Sequence, residues 1–151
     1  MIDVKNWDWE TGEKQVTMKD WKDKFKWVEE PYVSPDGETV AAVVNVDEGA
    51  FNVCVNGETW GNSFDKIWYL RFAPDGRLTA FVSEMAEWTV AVDGNPWENK
   101  FGYVWNTMFS EDGKNIAVAY QRDMQYGIAL NDKPWEETFS NMTQPLLSGN
   151  G

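Results

Sequence analysis

The sequence predicts an all-β chain built from four copies of one short unit, and three observations carry that reading. A Trp followed four positions later by Phe recurs as WKDKF (21–25), WGNSF (60–64), WENKF (97–101) and WEETF (135–139). Twelve residues beyond each Phe, without a gap, stands a glycine: FKWVEEPYVSPDG, FDKIWYLRFAPDG, FGYVWNTMFSEDG and the terminal FSNMTQPLLSGNG. The Trp-to-Trp intervals are 39, 37 and 38 residues. A fixed period of this length marks a repeat architecture in which each copy is one supersecondary unit.

Each unit is expected to hold four short antiparallel strands. The first alternates, as in LRFAPDG, and ends in turn chemistry: Pro presets φ and Gly accepts positive φ. The second is TVAAVVN, RLTAFVS or NIAVAYQ, and the third is FNVCVNG, WTVAVDG or YGIALND. The Asn-Gly, Asp-Gly and Asn-Asp pairs closing the third strands predict tight turns. The Trp-bearing segment is then the short fourth strand or its exit. Four short strands in about 40 residues is the pattern of a β-propeller blade.

On this division the chain is one domain, 1–151, with a partial blade at 1–24, blades at 25–63, 64–100 and 101–138, and a closing strand at 139–151. The first segment lacks a first strand, the last supplies one, and Met1 resumes where Gly151 leaves off. Two rings satisfy that pattern, and a third reading is a piece of a longer propeller. The tail closes on its own head in a four-bladed monomer, or each tail completes its partner's blade in an eight-bladed homodimer by strand exchange. The dimer is the favoured expectation, since four small sheets need steep wedge angles and two-fold dimers are the commonest assemblies.

Composition narrows the function. The formal net charge is −12 and the pI about 4.3, which argues against nucleic acid and anionic membranes, whose binding needs basic patches. A basic protein partner fits instead. The chain has no histidine, so the commonest general base and metal ligand are missing. Neither an enzyme nor a cofactor is expected. The single Cys54 and a start without a signal peptide suit a reducing cytoplasm. No apolar run approaches the roughly 20 residues that span a bilayer, so membrane association is expected only through partners. The turn acids Asp36, Asp75 and Asp112 occur one per blade at the Asp-Gly position, where turn geometry explains them better than paired-carboxylate catalysis.

The aromatic residues sort into columns. The repeated Trp and Phe positions are expected to pack neighbouring sheets together. Phe51, Trp88 and Tyr126 form a third column, and Cys54 aligns with Ala91 and Ala129, as a small buried strand residue and an inert thiol. The candidate interaction surface is Trp68 and Trp105 with Trp27, Tyr69 and Tyr103 nearby. Trp7 and Trp9, in the irregular first repeat, are candidate anchors, tryptophan being the residue most enriched at binding hot spots.

The strings SPDG, VAAVV and FNVCVNG resemble the WD-repeat-like, TolB-type bacterial propeller repeats, whose hallmark is a strand ending in S-P-D-G. The resemblance implies a propeller and leaves function open, because propellers host many unrelated activities. The NWDWE motif, the Trp columns and the small size resemble the tryptophan-rich TmcD-type subunits of the Tmc transmembrane redox complexes of anaerobic sulfate-reducing bacteria. That resemblance implies an accessory subunit beside cytochrome and iron–sulfur subunits. The expected function is a non-catalytic protein-binding scaffold in a larger assembly, and the alternative is small-ligand or carbohydrate binding through exposed aromatics.

Overall fold

The computed structural model describes residues 16–151. The fold is all-β, with three antiparallel sheets, none closed into a barrel. The second sheet runs in chain order through β6 (Lys66–Phe72), β7 (Leu78–Glu84), β8 (Glu87–Val92) and β9 (Asn95–Pro96). The third repeats it with β10 (Tyr103–Phe109), β11 (Ile116–Arg122), β12 (Gln125–Leu130) and β13 (Lys133–Pro134). In the first sheet the same four positions are taken by β1 (Trp27–Val28) with β2 (Tyr32–Val33), then β3 (Val40–Asp47), β4 (Ala50–Val55) and β5 (Glu58–Thr59).

The first sheet's leading strand is broken because Pro31 stands in its middle. Proline has no N–H to give to the ladder, so β1 and β2 pair separately with β3. The other two sheets stay continuous there but bulge, between Trp68 and Arg71 and between Trp105 and Met108. Tyr69 and Asn106 take the extra turn at φ 58° and 57°.

The second strands are apolar on both faces because both faces are covered. Ala41, Val43 and Val53 of the first sheet pack on Ile67, Leu70 and Val82 of the second. Phe81 and Val90, on that sheet's opposite face, pack on Phe101, Val104 and Val118 of the third. The outer face of the first sheet, Ala42, Val44 and Cys54, is covered by Trp21 of a short helix, α1 (Lys19–Lys24). The outer face of the third, Ala117, Ala119 and Ile128, is covered by Met142 and Leu147 of the tail. The helix differs from the extended segment expected around Trp21. The later units carry their Trp just after a two-residue strand.

Trp21 and Trp60 each reach the tight turn of the next sheet. A Cβ on Gly94 would lie 2.7 Å from Cγ of Trp60, and one on Gly57 would meet Nε1 of Trp21 at 3.7 Å. Gly94 also sits at φ 84°, so glycine is required there twice over. The last member of each column has no such neighbour. Trp21 is 2% exposed and Trp97 9%, against 52% for Trp135; Phe64 and Phe101 are buried, whereas Phe139 is 43% exposed.

The tail follows the course of a leading strand. Phe139 bridges Tyr126 as Phe64 bridges Phe51 and Phe101 bridges Trp88. Its closing turn copies the internal ones, with the Gly151 N–H donating to the Ser148 carbonyl at 3.0 Å as Gly113 does to Ser110 at 2.9 Å. The Asn106 amide holds the Pro145 carbonyl at 3.1 Å, and the Glu111 N–H holds that of Gly149 at 2.7 Å. Residues 140–148 nevertheless join no ladder with any described residue.

Candidate functional site

Three repeat positions gather at the sheet ends that carry the hairpins between second and third strands. Two are on the leading strand: Trp27, Lys66 and Tyr103 in one column, Glu29, Trp68 and Trp105 in the next. The third is Phe51, Trp88 and Tyr126 on the third strand. Alternation along a strand puts positions 66 and 68 on one face and sends Ile67, between them, into the core. The same holds for Tyr103, Val104 and Trp105.

The result is a ladder of rings across two sheets. Trp68 lies 6.0 Å from both Trp88 and Tyr103, and Trp88 lies 6.2 Å from Tyr103. Tyr103 stacks on Trp105 at 6.0 Å, which meets Tyr126 edge-on at 5.9 Å. These spacings fall in the range where offset and edge-to-face pairs are favourable. Trp27, Trp68 and Tyr103 remain exposed by 54%, 42% and 40%. Tyr69 is also exposed, stacked on Phe81 at 5.1 Å with Arg71 over its ring and donating to its hydroxyl. Trp105 is half-buried. Trp7 and Trp9 lie outside the described residues.

Of the surface residues read from the sequence, Trp68, Tyr103 and Trp105 are in direct ring contact. Trp88 and Tyr126 belong with them and Phe51 lines the adjoining cleft, although the sequence reading placed these three only as a column. Their signal was present: each precedes a repeat Phe by 13 residues and is bridged to it. Met85 and Met124 were not singled out at all. Both sit on hairpin tips at φ 50° and 62° and are almost fully exposed. The Asp65 carboxylate accepts the Met85 N–H at 2.8 Å and fixes that tip beside Lys66.

Between the first two sheets the ladder opens into a cleft of about 470 Å³, lined by Trp27, Glu29, Phe51, Lys66, Trp68 and Trp88 among others. Burial pushes the Glu29 carboxyl above its usual range. Burial likewise pushes the Cys54 thiol up, partly opposed by the Gly57 N–H and the Lys24 charge, which keeps it protonated and unreactive. Among the described residues no cluster of ligating side chains is placed to hold a metal ion, and no helix is long and apolar enough to cross a membrane. No family model and no curated protein matches this chain.

Proposed function

We propose that the chain is a non-catalytic protein-binding module, an accessory subunit of a larger cytoplasmic assembly that reaches a membrane only through its partners. The supporting observation is the half-exposed ring ladder through Trp68 and Tyr103, which joins the second and third sheets, with the exposed Trp27 of the first sheet lining the adjoining cleft. Rings held by their neighbours lose little entropy on binding and bury large areas, the property of interface anchors. The net charge of −12 would steer a basic partner onto that face. The partners implied by the TmcD-type resemblance are redox-complex subunits.

Affinity purification from the source cell is expected to return a stoichiometric protein partner, with haem or iron–sulfur absorbance if the redox assignment is right. Trp68→Ala combined with Tyr103→Ala should lower its recovery by roughly tenfold or more, as hot-spot truncations do. Undiminished recovery with an intact melting transition would refute the reading. Saturable quenching of tryptophan emission by a sugar, lost in Trp68→Ala, would favour the carbohydrate alternative.

The three sheets are proposed as propeller blades. The unit carrying Trp21 shows no leading strand among the described residues, whereas the tail follows the course of a leading strand but joins no ladder with any described residue. Trp135 and Phe139 are the exposed ends of columns buried elsewhere. Strand exchange between two copies would join these halves in an eight-bladed ring. Light scattering after size exclusion should give twice the chain mass; one chain mass persisting on dilution would sink the eight-bladed dimer.

A further inference from the structure

We infer that the cleft between the first two sheets is a socket for an aromatic side chain bearing a ring donor, Trp or Tyr, of a partner protein. The inference rests on the reading of this face as a protein-binding surface and adds the chemistry of its guest. The internal repeat supplies the argument. At the seam between the second and third sheets, Tyr103 lies within 6.2 Å of both Trp68 and Trp88 and fills the space between the sheet ends. One seam earlier the equivalents of Trp68 and Trp88 are Glu29 and Phe51, and Lys66 stands where Tyr103 would. Two rings are thus replaced by flexible side chains, and the cleft opens at that place. Its remaining walls, Trp27, Phe51 and Trp68, present aromatic surface to whatever enters.

The two substituted residues define the guest's polarity. Glu29 has a carboxylate with no hydrogen bond or ion pair to any described side chain, and it lines the cleft, half-buried, together with Trp27, Phe51 and Trp68. It can accept an indole N–H or a phenol O–H. Lys66 lies on the exposed rim, where its ammonium can donate to the carbonyls of the peptide carrying the ring. The same Lys66 disfavours a cationic guest, because a second positive charge would share the cleft with it. A ring with a donor matches both residues, and an ammonium group matches only one.

The test uses the full chain with N-acetyl-tryptophanamide as probe, followed through its indole N–H resonances. Saturable shifts of Trp27, Trp68 and Trp88 are expected, with N-acetyl-alaninamide producing none. Copying the filled seam by Glu29→Trp with Lys66→Tyr should weaken the probe at least tenfold while leaving the melting transition cooperative. Lys66→Tyr alone, at an exposed position, gives the same direction of change if the double variant fails to fold. Absence of a saturable shift, unaltered affinity in the filled variants, or stronger binding of tetramethylammonium than of the amide would each overturn the socket. The loss of partner recovery in the Trp68 and Tyr103 variants is measured separately, so the wider surface can survive the failure of this cleft.

Discussion

Tyr120 and Gly127 face each other directly across β11 and β12, and neither choice makes sense without the other. The Tyr120 ring stacks on Phe101 at 4.4 Å and lies so close that a Cβ on Gly127 would meet it at 2.6 Å. In the second sheet the equivalent pair is Val82 with Thr89, and in the first it is Val44 with Asn52. Two side chains of middling size have become one large ring opposite none. Gly127→Thr is therefore expected to destabilise by about 1–3 kcal/mol through overpacking. In a Tyr120→Val background the same change should cost less, giving a coupling of roughly 0.5–3 kcal/mol in urea denaturation. Cys54 makes a simpler prediction. Fully buried and with its thiol pushed up, it should resist alkylation in the folded protein and react on unfolding. Its burial was legible from alignment with Ala91 and Ala129. The Tyr120–Gly127 exchange was not, because a repeat alignment compares equivalent positions and is silent on which residues oppose each other across a sheet.

The recurring element is the turn that ends each leading strand. The Ser110 hydroxyl donates to Asp112, which also accepts the Lys114 N–H, and Ser34 and Asp36 repeat this arrangement. In the second sheet Ala73 has no hydroxyl; Asp75 is held instead by Arg77 at 2.8 Å, which also donates to the Gly113 carbonyl of the next turn at 2.7 Å. The Ser110 hydroxyl, followed by the Lys114 N–H, holds the Asp112 carboxyl below its usual range. A carboxylate lowered on folding contributes stability that is complete above its unfolded value, about 3.9, and is lost as pH falls through the folded one. Asp112→Asn should flatten the acid limb of the stability profile in urea titrations below about pH 4, where the wild-type limb falls. These turns, the strands and the hairpins they join were legible, since Pro-Asp-Gly and Asn-Gly specify backbone angles locally. The helix α1 was not. KDWKDK carries no strand alternation, and what fixes it is remote: Trp21 must reach Ala42, Val44 and Cys54 on the sheet behind it. The break at Pro31 was written in the sequence, but the bulges at Tyr69 and Asn106 had no local mark.

The molecule as a whole is a row of sheets whose stability comes from the seams between neighbours, as in other repeat proteins. Deleting 139–151 removes Met142 and Leu147 from the third sheet and bares Ala117, Ala119 and Ile128. The truncated chain is expected to melt at lower temperature than the full chain and to change its mass in light scattering; an unchanged melt and mass would remove the tail from any role in closure. The aromatic face was only half legible at this scale. Trp68, Tyr103 and Trp105 stood out as exposed or variable positions, but the cleft arises from two missing rings, and an absence becomes visible only beside the filled seam. The hairpin tips add one more consequence. Met85 and Met124 stand almost wholly in solvent, three and two residues from the ladder residues Trp88 and Tyr126. Peroxide converts such thioethers to polar sulfoxides, and reductases reverse the change. The apolar margin of this face therefore responds to the oxidative state of its surroundings, and mild peroxide should add oxygen at these two methionines before any buried side chain is touched.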